Sequence, residues 1–193
     1  MHRKFAVIAI FCIMLFAGCV IPEKIILRYD INADLTGTFS ISLLGCRSTA
    51  EDMEDARTEL DEFRLDIKSD TCTNILADIV GLGTSPEIAI VGNDSFLDIS
   101  VSGEFRSLVA VLGALEADNM QITRNDEQFD FHASVDKNGI DEQFPMLIVL
   151  GYEGKIIRHN GTSFDREANT VTWDLSEISE ISFSLKIEPH EDE

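Results

Sequence analysis

The chain has 193 residues, with 35 acidic against 15 basic side chains and a formal charge of −20 at neutral pH. That excess excludes nucleic acid as a partner, because nucleic-acid faces are basic, and it opposes electrostatic adhesion to anionic lipid head groups. With 45% hydrophobic residues, the chain has enough apolar material for one folded core.

Residues 1–18 read as an export signal: His2, Arg3 and Lys4 give a short basic start, Phe5 to Phe16 an apolar stretch, and Ala17-Gly18 a small-residue cleavage site. Phe5 to Gly18 would span about 21 Å as a helix, short of the ~30 Å hydrocarbon core of a bilayer, so removal is expected rather than retention as a spanning helix. The stretch Phe16-Ala17-Gly18-Cys19 resembles the lipobox of bacterial lipoproteins. In that family the cysteine thiol receives a diacylglyceryl group, the chain is cut just before it, and the new amine takes a further acyl chain such as palmitate. Leu15 lies one residue earlier than the commonest lipobox leucine, with Phe16 in its place. At about 0.8 kcal/mol per buried CH₂, two or three acyl chains hold a protein on a membrane permanently, whereas one does not. The resemblance implies an extracytoplasmic protein anchored through Cys19. Val20, rather than Asp, follows that cysteine, which implies the outer membrane in a cell that has one.

Residues 19–24 read as a short tether, 25–188 as a single domain and 189–193 as an acidic tail. Ile25, Leu27, Tyr29, Ile31 and Ala33 alternate with polar residues, "DLTG" at 34–37 is turn chemistry, and Phe39, Ile41 and Leu43 alternate again, which predicts a β-hairpin. Ser48 with Glu51 matches a capping box, and Met53, Ala56, Leu60, Phe63 and Ile67 form one apolar stripe, predicting a helix over 48–67. Residues 74–80 predict a short helix stopped by Gly81. Residues 87–105 predict a second hairpin turning at Gly92-Asn93-Asp94, with Leu97, Ile99 and Val101 inward.

A second main helix is expected from Ser102, with Phe105, Leu108, Val109, Leu112 and Leu115 as its apolar face and Gly113 weakening it. Phe129, Phe131, Ala133 and Val135 alternate after an "RNDE" turn. "PMLIVLGY" reads as a strand covered on both faces, "KIIRH" and "NTVTWDL" as strands separated by the loop "NGTSFDREA", and Ile181 to Ile187 as a last alternating strand. The expected class is α+β: a mostly antiparallel β-sheet built of hairpins, with two main helices packed on one face.

"ILRYDINADLTGTFSISL" and "NTVTWDL" resemble the LppM-type domain of bacterial lipoproteins, matching at Tyr29 to Leu43 and Asn169 to Leu175 with the 48–67 helix in order between them. Tyr152-Glu153-Gly154 stands where that family has a Pro-Gly, and the C-terminal membrane segment of some members has no counterpart. The resemblance implies a folded extracytoplasmic domain that binds a lipid or glycolipid, and it supplies no catalytic residues.

Cys12 leaves with the leader, so Cys46 and Cys72 remain as an even pair in an exported protein, and a disulfide between them is expected. It would close a loop of about 25 residues, worth about 3 kcal/mol in the chain-entropy picture. His132, His159 and His190 lack metal-ligand spacing and read as surface residues. Asp136, Asn138 and Asp141, with Gly139 and Glu142, are hard oxygen ligands around a bend, but they lack the EF-hand spacing and read as an acidic loop ahead of a calcium site. No nucleophile motif is present, and "GLGTS" lacks the lysine of a phosphate-binding loop.

Trp173 alternates with Val171 and Leu175 on an inward face and reads first as a core residue and second as a cavity wall. With Phe105, Leu112 and Phe183 it is expected to line an apolar cavity under the second helix. The sequence therefore predicts a non-enzymatic, membrane-anchored envelope lipoprotein that binds a lipid, glycolipid or other apolar ligand and uses no cofactor. The alternative is an adaptor that docks an envelope protein through its acidic surface or an edge strand.

Overall fold

The computed structural model describes residues 20–69, 86–113, 118–134 and 145–187. The leader with Cys19, the expected helix at 74–80, Cys72, Leu115, Val135, the 136–142 loop and His190 lie outside the described residues.

The predicted first hairpin forms as β2 (Lys24–Ile31) and β3 (Gly37–Ser48), paired from Lys24↔Leu44 to Ile31↔Gly37. Its inward set, including Leu27, Tyr29, Ile31, Phe39, Ile41 and Leu43, is buried. The second hairpin forms as β4 (Glu87–Gly92) and β5 (Leu97–Phe105), with Asn93 Oδ1 accepting the Ser95 N–H at 2.8 Å in the turn. Residues 20–24 are not a free tether: β1 (Val20–Ile21) pairs with the end of β3, and Val20 is 1% exposed.

The remaining strands are β6 (Asp118–Arg124), β7 (Gln128–Ser134), β8 (Met146–Tyr152), β9 (Ile156–His159), β10 (Ser163–Asp165), β11 (Thr170–Asp174) and β12 (Glu180–Lys186). They do not build one sheet. Eight strands run β10–β11–β8–β2–β3–β5–β4 with β1 beside β3, and four run β6–β7–β12–β9. The expected α+β class with antiparallel sheets therefore holds, with one parallel pair, β2 and β8, at the middle of the larger sheet. That pair is parallel because the chain returns to β2 after completing β6 and β7 in the other sheet, not by a hairpin.

Within β8, Leu147 and Val149 remain half-exposed while Met146, Ile148, Leu150 and Tyr152 are buried, so its first part alternates instead of being covered on both faces. The loop expected at 160–168 contains β10. Asn169, just before β11, lies in the left-handed region, φ 47°, and its Nδ2 donates to the carbonyls of Tyr152 at 2.5 Å and Gly154 at 2.7 Å. The "NTVTW" asparagine is thus a turn residue that pins the 152–154 loop.

Helix α1 (Met53–Ile67) has its cap four residues later than expected. Asp52 is the N-cap, and its carboxylate accepts from the Glu54 N–H at 2.8 Å and the Asp55 N–H at 3.4 Å. Ser48 belongs to β3 and hydrogen-bonds Glu59 from outside the helix. Leu60, Phe63 and Ile67 are buried, whereas Met53 is 86% exposed. Asp52→Ala should cost about 1 kcal/mol, seen as a thermal midpoint lower by about 3 °C.

The expected second helix shrinks to α2 (Leu108–Gly113). Residues 102–105 instead continue β5, where Phe105 pairs with Gly37 and Glu104 with Thr38. Ladder pairing with β3 outweighs the helical spacing of Phe105, Leu108 and Leu112.

The inward faces of both sheets, α1 and α2 share one hydrophobic core. Its aromatic centre joins the sheets: Phe183 of β12 lies 5.9 Å, ring to ring, from Trp173 of β11 and 5.1 Å from Phe131 of β7. Asn160, just past β9, adds a polar joint. Its Oδ1 accepts from Trp173 Nε1 and from the Ser182 N–H, both at 2.7 Å, and its Nδ2 donates to the Glu180 carbonyl at 2.8 Å. Tyr152 of β8 donates its hydroxyl to the Lys186 carbonyl of β12 at 2.6 Å.

Cys46 is a free thiol here and not half of a disulfide. It sits fully buried where the β3–β5 register shifts between Leu43 and Cys46. Burial, with the negative charge of Asp98, pushes that thiol up to about 12, which keeps it protonated and unreactive at neutral pH.

Candidate functional site

Alternation along β7 and β12 sends Phe129, Phe131, Ile181 and Phe183 into the core and leaves a polar set on the other face of the four-stranded sheet. Register then assembles that set into rows. Thr123 pairs with Asp130, Asp130 with Ser184, and Ser184 with Arg158, giving one row across all four strands. Gln121, His132 and Ser182 make the adjacent row. Both rows, with His159 at the edge, line a concavity of about 410 Å³.

Asp130 is the organised centre of this face. Its Oδ1 accepts from Ser184 Oγ at 2.5 Å and from Gln128 Nε2 at 2.7 Å, while Oδ2 accepts nothing among the described residues. The Ser184 hydroxyl, followed by Gln128 and the positive charge of Arg158, holds the Asp130 carboxyl below the usual carboxylate range. These bonds favour the ionised form, so their support is present above about pH 4 and is lost as acid protonates the group. Ser184→Ala should raise the Asp130 pKa, measured by following the carboxyl carbon by NMR through an acid titration; an unmoved titration would show that the bond does not set it.

Arg158 forms no ion pair among the described residues, which leaves its five N–H donors open to a ligand. At the rim, His159 meets the half-exposed ring of Phe164 at 4.9 Å. The face thus offers an acceptor carboxylate, a guanidinium, an amide, hydroxyls and a ring edge. That mixture suits a polar, hydroxyl-rich ligand, whereas a bare anion would meet the ionised Asp130. Asp130 is the one carboxylate lining this concavity, so the described residues bring no catalytic pair together here. They also contain no cluster of metal-ligating side chains.

The residues expected to share a cavity are placed as follows. Trp173 and Leu112 are buried, Trp173 in the aromatic centre and Leu112 on α2. Phe183 touches Trp173 and backs the polar concavity through its strand. Phe105 lines a separate hollow of about 330 Å³ near the β2–β3 turn, beside Asn32, Thr36 and Arg106. Asp136, Asn138 and Asp141 lie outside the described residues. Asp130, Ser184, Arg158 and Thr123 give no site signal in the sequence, because each reads singly as a solvated strand residue. Their spacing of two was visible, but the pairing that lines them up was not.

No family model matches the chain, and no curated protein matches it. Among solved structures, the chain is similar to the folded domain of LppM from Mycobacterium tuberculosis, determined by NMR. The TM-score is 0.54 and the identity 11%, over 90% of this chain and 92% of that one. The two share a fold.

Proposed function

We propose that this protein is an extracytoplasmic lipoprotein, held to a bacterial membrane through Cys19, that binds the polar part of a lipid or glycolipid without chemically altering it. The observation that carries the reading is the pair of rows Thr123–Asp130–Ser184–Arg158 and Gln121–His132–Ser182, which present polar donors and acceptors on one concave face. The lipobox-like end of the leader and the fold shared with the LppM domain support it. Among the described residues no helix is long and apolar enough to cross a membrane; on this reading the anchor is the lipid on Cys19.

The test is native mass spectrometry of the membrane-extracted protein, followed by NMR titration with octyl glucoside below its micelle concentration and with dihexanoyl-phosphatidylcholine. Shifts clustered at residues 121–123, 130–132, 158–159 and 182–184 are expected. Arg158→Ala should weaken binding about tenfold, since a hydrogen bond to a charged group is worth about 1.5–3 kcal/mol. A protein that carries no lipid and responds to neither probe would refute the reading.

A further inference from the structure

No slack separates Cys19 from folded structure. Val20 is paired with Ser48 and Ile21 with Arg47, and consecutive Cα atoms lie about 3.8 Å apart. A lipid on Cys19 therefore leaves the protein at one defined end of the eight-stranded sheet. The register places three further features there. β3 finishes at Ser48, the β4–β5 turn lies beyond Gly92↔Leu97 with Leu97 opposite Cys46, and α1 starts at Met53.

This end carries exposed apolar side chains. Ile21 is 37% exposed, Met53 86% and Val91 69%. Met53 and Arg57 share one face of α1, a turn apart, and Arg57 meets Asp94 of the β4–β5 turn at 3.5 Å, which draws the helix start toward β4. Val91 lies two strands from β3, about 10 Å at the usual strand spacing.

We propose that this end of the sheet rests directly on the bilayer, with Ile21, Met53 and Val91 entering the head-group layer around the lipid on Cys19. The inference rests on the reading of Cys19 as lipidated. The surface it fits is neutral or zwitterionic, because Glu51, Asp52, Glu54 and Asp55 are all exposed at the start of α1 and repel anionic head groups. The opposite end of the sheet, with the turns at 32–36 and 165–169, stands about 23 Å farther out along β2. The anchored body is thus held in one orientation by the absence of a tether, not by charge.

The test compares the mature lipidated protein in phosphatidylcholine nanodiscs with its unlipidated Cys19→Ser form in solution. Peroxide oxidation of Met53 should slow several-fold on the membrane. Amide exchange should slow at Ile21, Glu23, 49–53 and 93–96 and stay unchanged at 32–36 and 165–169. Met53→Gln with Val91→Gln, both at exposed positions, should return exchange at 93–96 toward the solution rate. If Cys19 is lipidated yet Met53 oxidises at the solution rate, or both ends of the sheet respond alike, the orientation is wrong and the anchor stands. An intact mass showing a bare thiol at Cys19 overturns both.

Discussion

Phe183→Ala is expected to lower stability by about 4 kcal/mol, a large share of the 5–15 kcal/mol that holds an ordinary domain together. Phe183 is 3% exposed, and its ring packs 5.1 Å from Phe131, 5.9 Å from Trp173 and 6.2 Å from Phe129. Truncation removes the ring's burial, leaves a hole that β7, β11 and β12 cannot jointly close, and ends three aromatic contacts worth about 0.5–1.5 kcal/mol each beyond area. It also removes one apolar link between the two sheets, which the rest of the shared core and the bonds of Asn160 and Tyr152 still join. Thermal unfolding of the leaderless protein should fall by about 10 °C. Phe183→Leu, which keeps most of the volume, should lose less than half as much. Equal losses for the two variants would mean that the ring contacts contribute nothing beyond volume.

The strands were legible wherever one face is buried and the other wet. Tyr29, Phe39, Phe131 and Leu185 each sit at the inward step of an alternation that local sequence records directly. The division into two sheets was not legible, because β7 pairs with β12 across some fifty residues and nothing near either strand names the other. Phe105 shows a second kind of limit. Its spacing to Leu108 and Leu112 fits a helix, yet its backbone is already committed to Gly37 across the ladder. At α1 both Ser48 and Asp52 are good caps by type, and the longer run of β3 decides for Asp52 by keeping Ser48 in the sheet.

The polar concavity was hidden for the same reason as the sheet division. Asp130 and Arg158 stand in one row only after β12 has been laid between β7 and β9. Burial leaves a trace in sequence because it acts on each residue separately, whereas a binding face made across four strands leaves one only through their register.

Register also sets the second large effect, at Gly37. A Cβ added there would lie 2.1 Å from the Asp30 carbonyl oxygen and 2.9 Å from the Phe105 ring. Gly37 has no left-handed backbone to explain its identity; space alone demands glycine. The obstruction is main chain of the adjacent strand, which cannot rotate away as a side chain can. Relief therefore requires opening the β2–β3 ladder at its turn, where buried Leu35 holds φ 67° and its carbonyl accepts the Leu108 N–H of α2 at 3.1 Å. Gly37→Ala should cost about 3 kcal/mol, the upper end of overpacking, and should speed amide exchange at Leu108 as that joint loosens. Gly151→Ala provides the control against the same residue: its nearest neighbour is the Asp30 carboxylate oxygen at 2.6 Å, the free end of a side chain that can swing aside at the expense of its bond to Arg28. Urea denaturation should rank Gly37→Ala well below Gly151→Ala. If the two are equal, the strand can yield as readily as the side chain, and the turn is softer than its hydrogen bonds indicate.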